Sequence, residues 1–206
     1  MKNPLHYQIS EYDCGPTSLL NALIYLFERE EILPEIIRYI MLYSLDCYDR
    51  CGILGKSGTS KMAMMFLSEW LNGVGRAGVL SVESRHLTGK QVYIGENSLL
   101  TDALKRGGAV VARLNLEGEH YVLFTGAEKE HILLFDPYYW PQGASDGNII
   151  SVTDKPFAYN RKVPFAYFNR EGEEPYSLGA IEKREAVLLF NSRTKLTAEK
   201  TIEYFI

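Results

Sequence analysis

The chain has 206 residues, 46% hydrophobic and 23% charged, with a formal net charge of −4. That length and balance fit one soluble globular domain over 1–206 and exclude a disordered or fibrous chain. The absence of a basic excess argues against nucleic acid or an anionic lipid surface as partner. No apolar run approaches the ~18 residues of a membrane helix. The stretch Met1 to Tyr7 lacks an apolar signal core, so the expected location is the cytoplasm.

In chain order, the first element is a helix over 15–30. Leu19, Leu20, Leu23, Ile24 and Phe27 fall at i, i+3, i+4 spacing, and Pro16 sits in the first turn, where it is tolerated. A second helix starts near Pro34, with Ile36, Ile37, Ile40 and Met41 as its stripe. The loop 52–60 contains Gly55-Lys56-Ser57-Gly58-Thr59 but lacks the preceding strand and the spacing of a phosphate loop. Thr59 or Ser60 caps a third helix, which Asn72-Gly73 ends. Short strands are predicted over 79–82 and 90–94. Asn97 or Ser98 caps a short helix over 99–106, closed by Gly107-Gly108.

Strands then dominate. Runs 109–114, 120–126 and 131–135, separated by Glu117-Gly118-Glu119 and Glu128-Lys129-Glu130, read as an antiparallel meander that Pro137 stops. A further strand is expected over 148–152, an irregular stretch over 153–179, a late strand over 186–190 and a final helix capped by Thr197. Helices come first, to about residue 107, and mostly strands follow, from about 108. The expected class is α+β, with helices packed on one side of a mostly antiparallel sheet.

Three cysteines are too few for a disulfide framework. Cys47 and Cys51 have no second ligand pair at zinc-like spacing and read as ordinary thiols. Cys14 differs. In Gln8-Ile9-Ser10-Glu11-Tyr12-Asp13-Cys14-Gly15-Pro16 it stands at the start of a helix, whose free N–H groups and positive dipole end favour a thiolate. Gly15 lets a substrate approach the backbone. An acyl-transfer site also needs donors for a developing oxyanion; the Cys14 N–H and the Gln8 side chain are the candidates.

Four histidines compete for the role of base. His6 lies in an arm before the motif, His86 beside Arg85, and His131 after a charged turn. His120 opens a strand whose partner ends at Asp136, so a hairpin brings these two to the same end of a sheet. An aspartate there would fix the imidazole tautomer and stabilise the imidazolium. Asp146 and Asn148 are weaker orienting candidates. Tyr138, Tyr139 and Trp140 follow directly and are candidate walls of a substrate groove. The acidic Glu117-Gly118-Glu119 turn reads as solvated, or as favouring cationic substrates.

Gln8, Asp13-Cys14-Gly15 with its helix, His120-Tyr121-Val122 and Asp136-Pro137 together resemble the papain-like C39 and C39-like cysteine peptidases over about residues 7–27 and 109–137. The resemblance implies a papain-like fold, with Cys14 as nucleophile, His120 as general base, Asp136 as orienting residue and Gln8 as oxyanion donor. With neither a membrane segment nor an ATPase motif, and with Pro16, the chain is closer to stand-alone members than to transporter-fused ones. A double-glycine preference is therefore not implied. The expected activity is hydrolysis of a peptide or protein substrate through a Cys14 thioester, without metal or organic cofactor. The alternatives are transfer of the thioester to an amine, as in transglutaminase-like relatives of this architecture, and a degenerate module that binds a peptide without cutting it.

Overall fold

The computed structural model describes residues 1–140 and 146–197. Among these residues five α-helices and seven strands run α1 (Cys14–Leu26), α2 (Pro34–Ser44), α3 (Lys61–Arg76), β1 (Val82–Thr88), α4 (Leu99–Lys105), β2 (Ala109–Asn115), β3 (Glu119–Glu128), β4 (His131–Phe135), β5 (Ile150–Ser151), β6 (Arg161–Pro164), α5 (Phe165–Phe168) and β7 (Glu185–Asn191). The architecture is α+β, as expected. A single antiparallel sheet of seven strands has the order β1-β7-β2-β3-β4-β6-β5. No helix among the described residues is long and apolar enough to cross a membrane.

Alternation along β2 and β3 divides the core. Ala109, Val111, Tyr121 and Leu123 face one way and pack with Leu19 and Leu23 of α1, Ile36 and Ile40 of α2, and Met64, Leu67 and Leu71 of α3. Val110, Ala112, Leu114, Val122 and Phe124 face the other way. They pack with Leu100, Ala103 and Leu104 of α4 and with Phe168, Tyr176 and Leu178. Each fully buried leucine contributes about 1.5–3 kcal/mol through removal from water. The N-terminal helices do pack on the sheet, but α4 lies on the opposite face, so the helices are not confined to one side. The reason is visible in β2, which is buried at six successive positions and needs cover on both faces.

Other boundaries also moved. The helix expected over 15–30 ends at Leu26, where Phe27 turns extended. Ser60 caps α3, its Oγ accepting from Ala63 N at 3.1 Å, but the helix passes through Gly73 to Arg76. Gly75 is required there because a Cβ would run into the Val82 carbonyl. The strand expected over 79–82 lies at Val82–Thr88, and 90–94 holds a short 3₁₀ turn (Gly89–Gln91) instead of a strand. Ser98 caps α4 through Leu100 N and Thr101 N, at 3.1 and 3.2 Å. The stretch expected to be irregular contains β6 and α5. The expected final helix lies outside the described residues.

Candidate active site

The turn before α1 is built around one buried carboxylate. Asp13 accepts from Ile9 N (2.9 Å), Ser10 N (2.6 Å), Ser10 Oγ (2.5 Å) and Thr17 Oγ1 (3.2 Å), while its carbonyl receives Thr17 N at 3.0 Å. Burial pushes the Asp13 carboxyl up, but the donors from Ser10 and Ile9 outweigh it and hold it below the usual range. This clamp fixes where Gln8 sits. The Gln8 backbone N–H donates to Pro137 O at 2.9 Å, tying the turn to the end of β4. The Gln8 side chain gives one Nε2 proton to Ser10 O at 2.7 Å, and its buried Oε1 has no partner among the described residues. An amide nitrogen carries two protons, so this bond uses one of the two on Nε2.

Cys14, the first residue of α1, is buried. The helix is anchored to β3 by Ser18 Oγ donating to Tyr121 O (2.9 Å) and Tyr25 Oη donating to Thr125 O (2.9 Å). The first of these bonds joins the helix to the residue after His120. The His120 ring stands beside the Cys14 thiol, close enough for the thiol to raise the imidazole pKa. Its Nε2 meets Asp136 Oδ1 at 2.8 Å, which leaves Nδ1 as the nitrogen for the thiol. The β3–β4 register explains the second contact. Leu123 is opposite Phe135, so one further rung sets Val122 opposite Asp136, with His120 on the same face two residues along.

The electrostatics follow from this chain. Burial pulls the His120 pKa down, but the bond to Asp136 and the contact with Cys14 win, and it is pushed up to about 10. Asp136 is fully buried. Burial would raise its pKa, yet His120 and then Tyr176 hold it below the usual carboxylate range. Its Oδ1 also accepts from Tyr138 N at 2.9 Å, and Tyr176 Oη donates to Oδ2 at 2.7 Å. Asn160 grips the Asp136 backbone from both sides, accepting from its N–H and donating to its carbonyl, each at 2.8 Å. Tyr176 and Asn160 lie in the stretch that carried no readable pattern, and no sequence signal pointed to either.

Beside His120 opens a cavity of about 200 Å³ lined by Gln8, Glu11, Tyr138, Trp140 and the 116–119 turn. Tyr138 and Trp140 both line it, with ring centroids 6.2 Å apart. The Glu11 charge pushes the Tyr138 phenol up. Tyr139 is not a wall. It is 61% exposed and sets its ring edge-on against Tyr7, 5.1 Å away. Gly15 does not offer its bare face to a substrate either, because Thr59 covers it: an added Cβ would meet Thr59 Cβ at 2.8 Å. Glu119 is ion-paired with Arg113 at 2.8 Å. A larger cavity of about 370 Å³ lies across the same turn, against Arg113, Glu171 and Gly179. It excludes His120, so the smaller cavity is the one next to the chemistry.

The remaining candidates are engaged elsewhere. Asn21 brackets the His6 backbone at 2.8 Å on both sides. His86 Nε2 meets buried Glu185 at 3.2 Å. His131 opens β4, at the end opposite Asp136. Asp146 and Asn148 bond each other and Tyr167, not His120. Cys47 and Cys51 are free thiols in the loop between α2 and α3. Among the described residues no cluster of three or more His, Cys, Asp or Glu side chains is placed to hold a metal ion. No protein-family model and no curated protein matches the chain, so the geometry around Cys14 bears the functional argument.

Proposed function

We propose that the protein is a papain-like cysteine hydrolase that cleaves a peptide or amide bond through a thioester on Cys14. The observation that carries the reading is the 2.8 Å bond from His120 Nε2 to Asp136, with the Cys14 thiol beside the same imidazole. Nucleophile, base and orienting group stand in the sequence of contacts that activates a thiol. The resemblance to C39-like peptidases over the same residues points the same way.

With a His120 pKa of about 10 the ring is an imidazolium at neutral pH, the counter-ion that a thiolate needs. The sulfur attacks the substrate carbonyl carbon. The Cys14 N–H, free at the first helical position, and the second Gln8 Nε2 proton receive the developing oxyanion. His120 gives its proton to the leaving amine as the C–N bond breaks. Water then attacks the thioester, with neutral His120 taking the water's proton, and the thiolate–imidazolium pair returns as the acid leaves. Because His120 protonates the leaving amine, the cavity of Gln8, Glu11, Tyr138 and Trp140 falls on the leaving-group side.

The test is selective alkylation. Iodoacetamide at neutral pH is expected to modify Cys14 at least tenfold faster than Cys51, although Cys51 is exposed and Cys14 buried. Cys14→Ala is expected to abolish hydrolysis of a fluorogenic peptide mixture. Equal labelling of the two thiols, or full hydrolysis by the alanine variant, refutes the reading. Added amine that appears in the product would assign the same site to acyl transfer.

A further inference from the structure

A buried carboxylate presents more lone pairs than one histidine can use, and the rest need donors. Asp136 Oδ1 is served by His120 Nε2 and Tyr138 N; Oδ2 is served by Tyr176 Oη. Tyr176 is 3% exposed and takes φ 61°, a left-handed conformation unusual for a non-glycine residue. Its backbone N–H is held there by Asn115 O at 2.8 Å. Behind it lies a second buried charge. Arg161 of β6 is 6% exposed, gives Nη1 to Asn160 O at 2.9 Å, and stands near enough to the Tyr176 hydroxyl for its charge to act on it. Arg161 Nε has no hydrogen-bond partner among the described residues.

Two bonds, of 2.7 and 2.8 Å, thus join Tyr176, Asp136 and His120, with Arg161 beyond Tyr176 at one end and Cys14 beyond His120 at the other. The hydroxyl donates to the carboxylate and has the guanidinium charge behind it. The groups facing Asp136 are His120 from β3, Tyr138 N from its own strand end, and Tyr176 from the segment after α5, with Arg161 beyond. Their charges are decisive in a site closed to water. Thiolate, imidazolium and carboxylate sum to −1. The guanidinium brings the set to zero.

We propose that Tyr176 and Arg161 are positioning residues of the active site: they keep Asp136 ionised and aimed at His120, so that the buried thiolate–imidazolium pair forms without a net charge. The proposal rests on the reading of Cys14 as a hydrolase nucleophile. It accounts for the strained backbone at Tyr176, which places the hydroxyl within 2.7 Å of Oδ2.

The experiment measures the second-order rate of Cys14 alkylation by iodoacetamide against pH, in the full chain. Tyr176→Phe removes one oxygen and keeps the ring. It is expected to lower the plateau about tenfold and to move the acid limb up by about one pH unit, since a donor to a charged acceptor is lost. Arg161→Gln should move the limb in the same direction, and Arg161→Lys should restore it. Circular dichroism confirms that each variant is folded, and the Arg161 pair decides the matter if Tyr176→Phe is not. In an Asp136→Asn background, Tyr176→Phe should change nothing further, because its effect passes through the carboxylate. A wild-type limb and plateau in folded Tyr176→Phe overturns the proposal. So does an effect of undiminished size in the Asp136→Asn background, or an Arg161→Gln profile equal to wild type. If wild-type Cys14 itself reacts no faster than Cys51, the hydrolase reading has failed instead.

Discussion

Replacing Asp136 by asparagine keeps the shape of the side chain and reverses one of its hydrogen-bonding faces. The carboxylate accepts three bonds: from His120 Nε2 (2.8 Å), Tyr138 N (2.9 Å) and Tyr176 Oη (2.7 Å). An amide offers one oxygen and one NH₂. If the oxygen stays with His120 and Tyr138, the NH₂ meets the Tyr176 hydroxyl, which must then turn its own proton away. If the amide flips, the NH₂ faces both the imidazole N–H and the Tyr138 N–H. Either way at least one charge-assisted bond is lost, about 1.5–3 kcal/mol. Each ~1.4 kcal/mol is tenfold in rate, so turnover and Cys14 alkylation should fall by roughly 10- to 150-fold. The bond to Asp136 is also the chief influence holding the His120 pKa at about 10. In the variant the alkaline limb of the pH–rate profile should descend from near that value towards the usual ~6.5 of histidine. The assay is alkylation rate and peptide hydrolysis from acid to about pH 10.5, on protein shown to be folded. A variant that kept both the wild-type plateau and the high alkaline limb would refute the assignment of Asp136 as the group that orients and charges His120.

The same histidine makes stability depend on pH. Its folded pKa of about 10 lies above the unfolded ~6.5, so its contribution is complete below the unfolded value and is lost as pH rises towards the folded one. Acting alone, it gives a slope of about 1.4 kcal/mol per pH unit inside that window. In the proposed pair the proton absent from the thiolate offsets the one on His120 below the ordinary thiol pKa of ~8.5. Urea unfolding should therefore show stability nearly level from about pH 7 to 8 and falling from about pH 9 to 10 in the wild type, with a flatter response above about pH 9 in His120→Gln; equal slopes there would contradict it. Asp13 and Asp136 act at the other end. Both are depressed, so their stabilisation is present above the ordinary carboxylate range and disappears as pH falls through their folded values. Gly15→Ala is expected to cost about 1–3 kcal/mol, because the new methyl group overlaps Thr59 Cβ at 2.8 Å and Cγ2 at 3.3 Å, and Thr59→Gly should recover part of the loss. A rise in KM with unchanged Tm would instead mean that Gly15 serves substrate access.

What the sequence made legible here are features set by local periodicity. A helix beginning at Cys14, a strand at 131–135 and a turn between two strand runs are enough to bring His120 and Asp136 to one sheet end. Register then supplies the contact, since a hairpin with Leu123 opposite Phe135 leaves those two side chains on one face. The features that escaped depend on close approach between distant segments. Nothing near Gly15 says that Thr59 lies on it, and nothing in 153–179 says that Arg161 belongs to a strand or that Tyr176 turns left-handed to reach a carboxylate. β7 is the extreme case: the last described strand lies between β1 and β2, a position no local pattern encodes. Yet the need for these partners is a consequence of the part that was legible. Once Asp136 is placed behind His120 and closed off from water, its second oxygen requires a donor and its charge requires compensation. The sequence therefore specifies that something like Tyr176 and Arg161 must exist, and the fold specifies which residues they are.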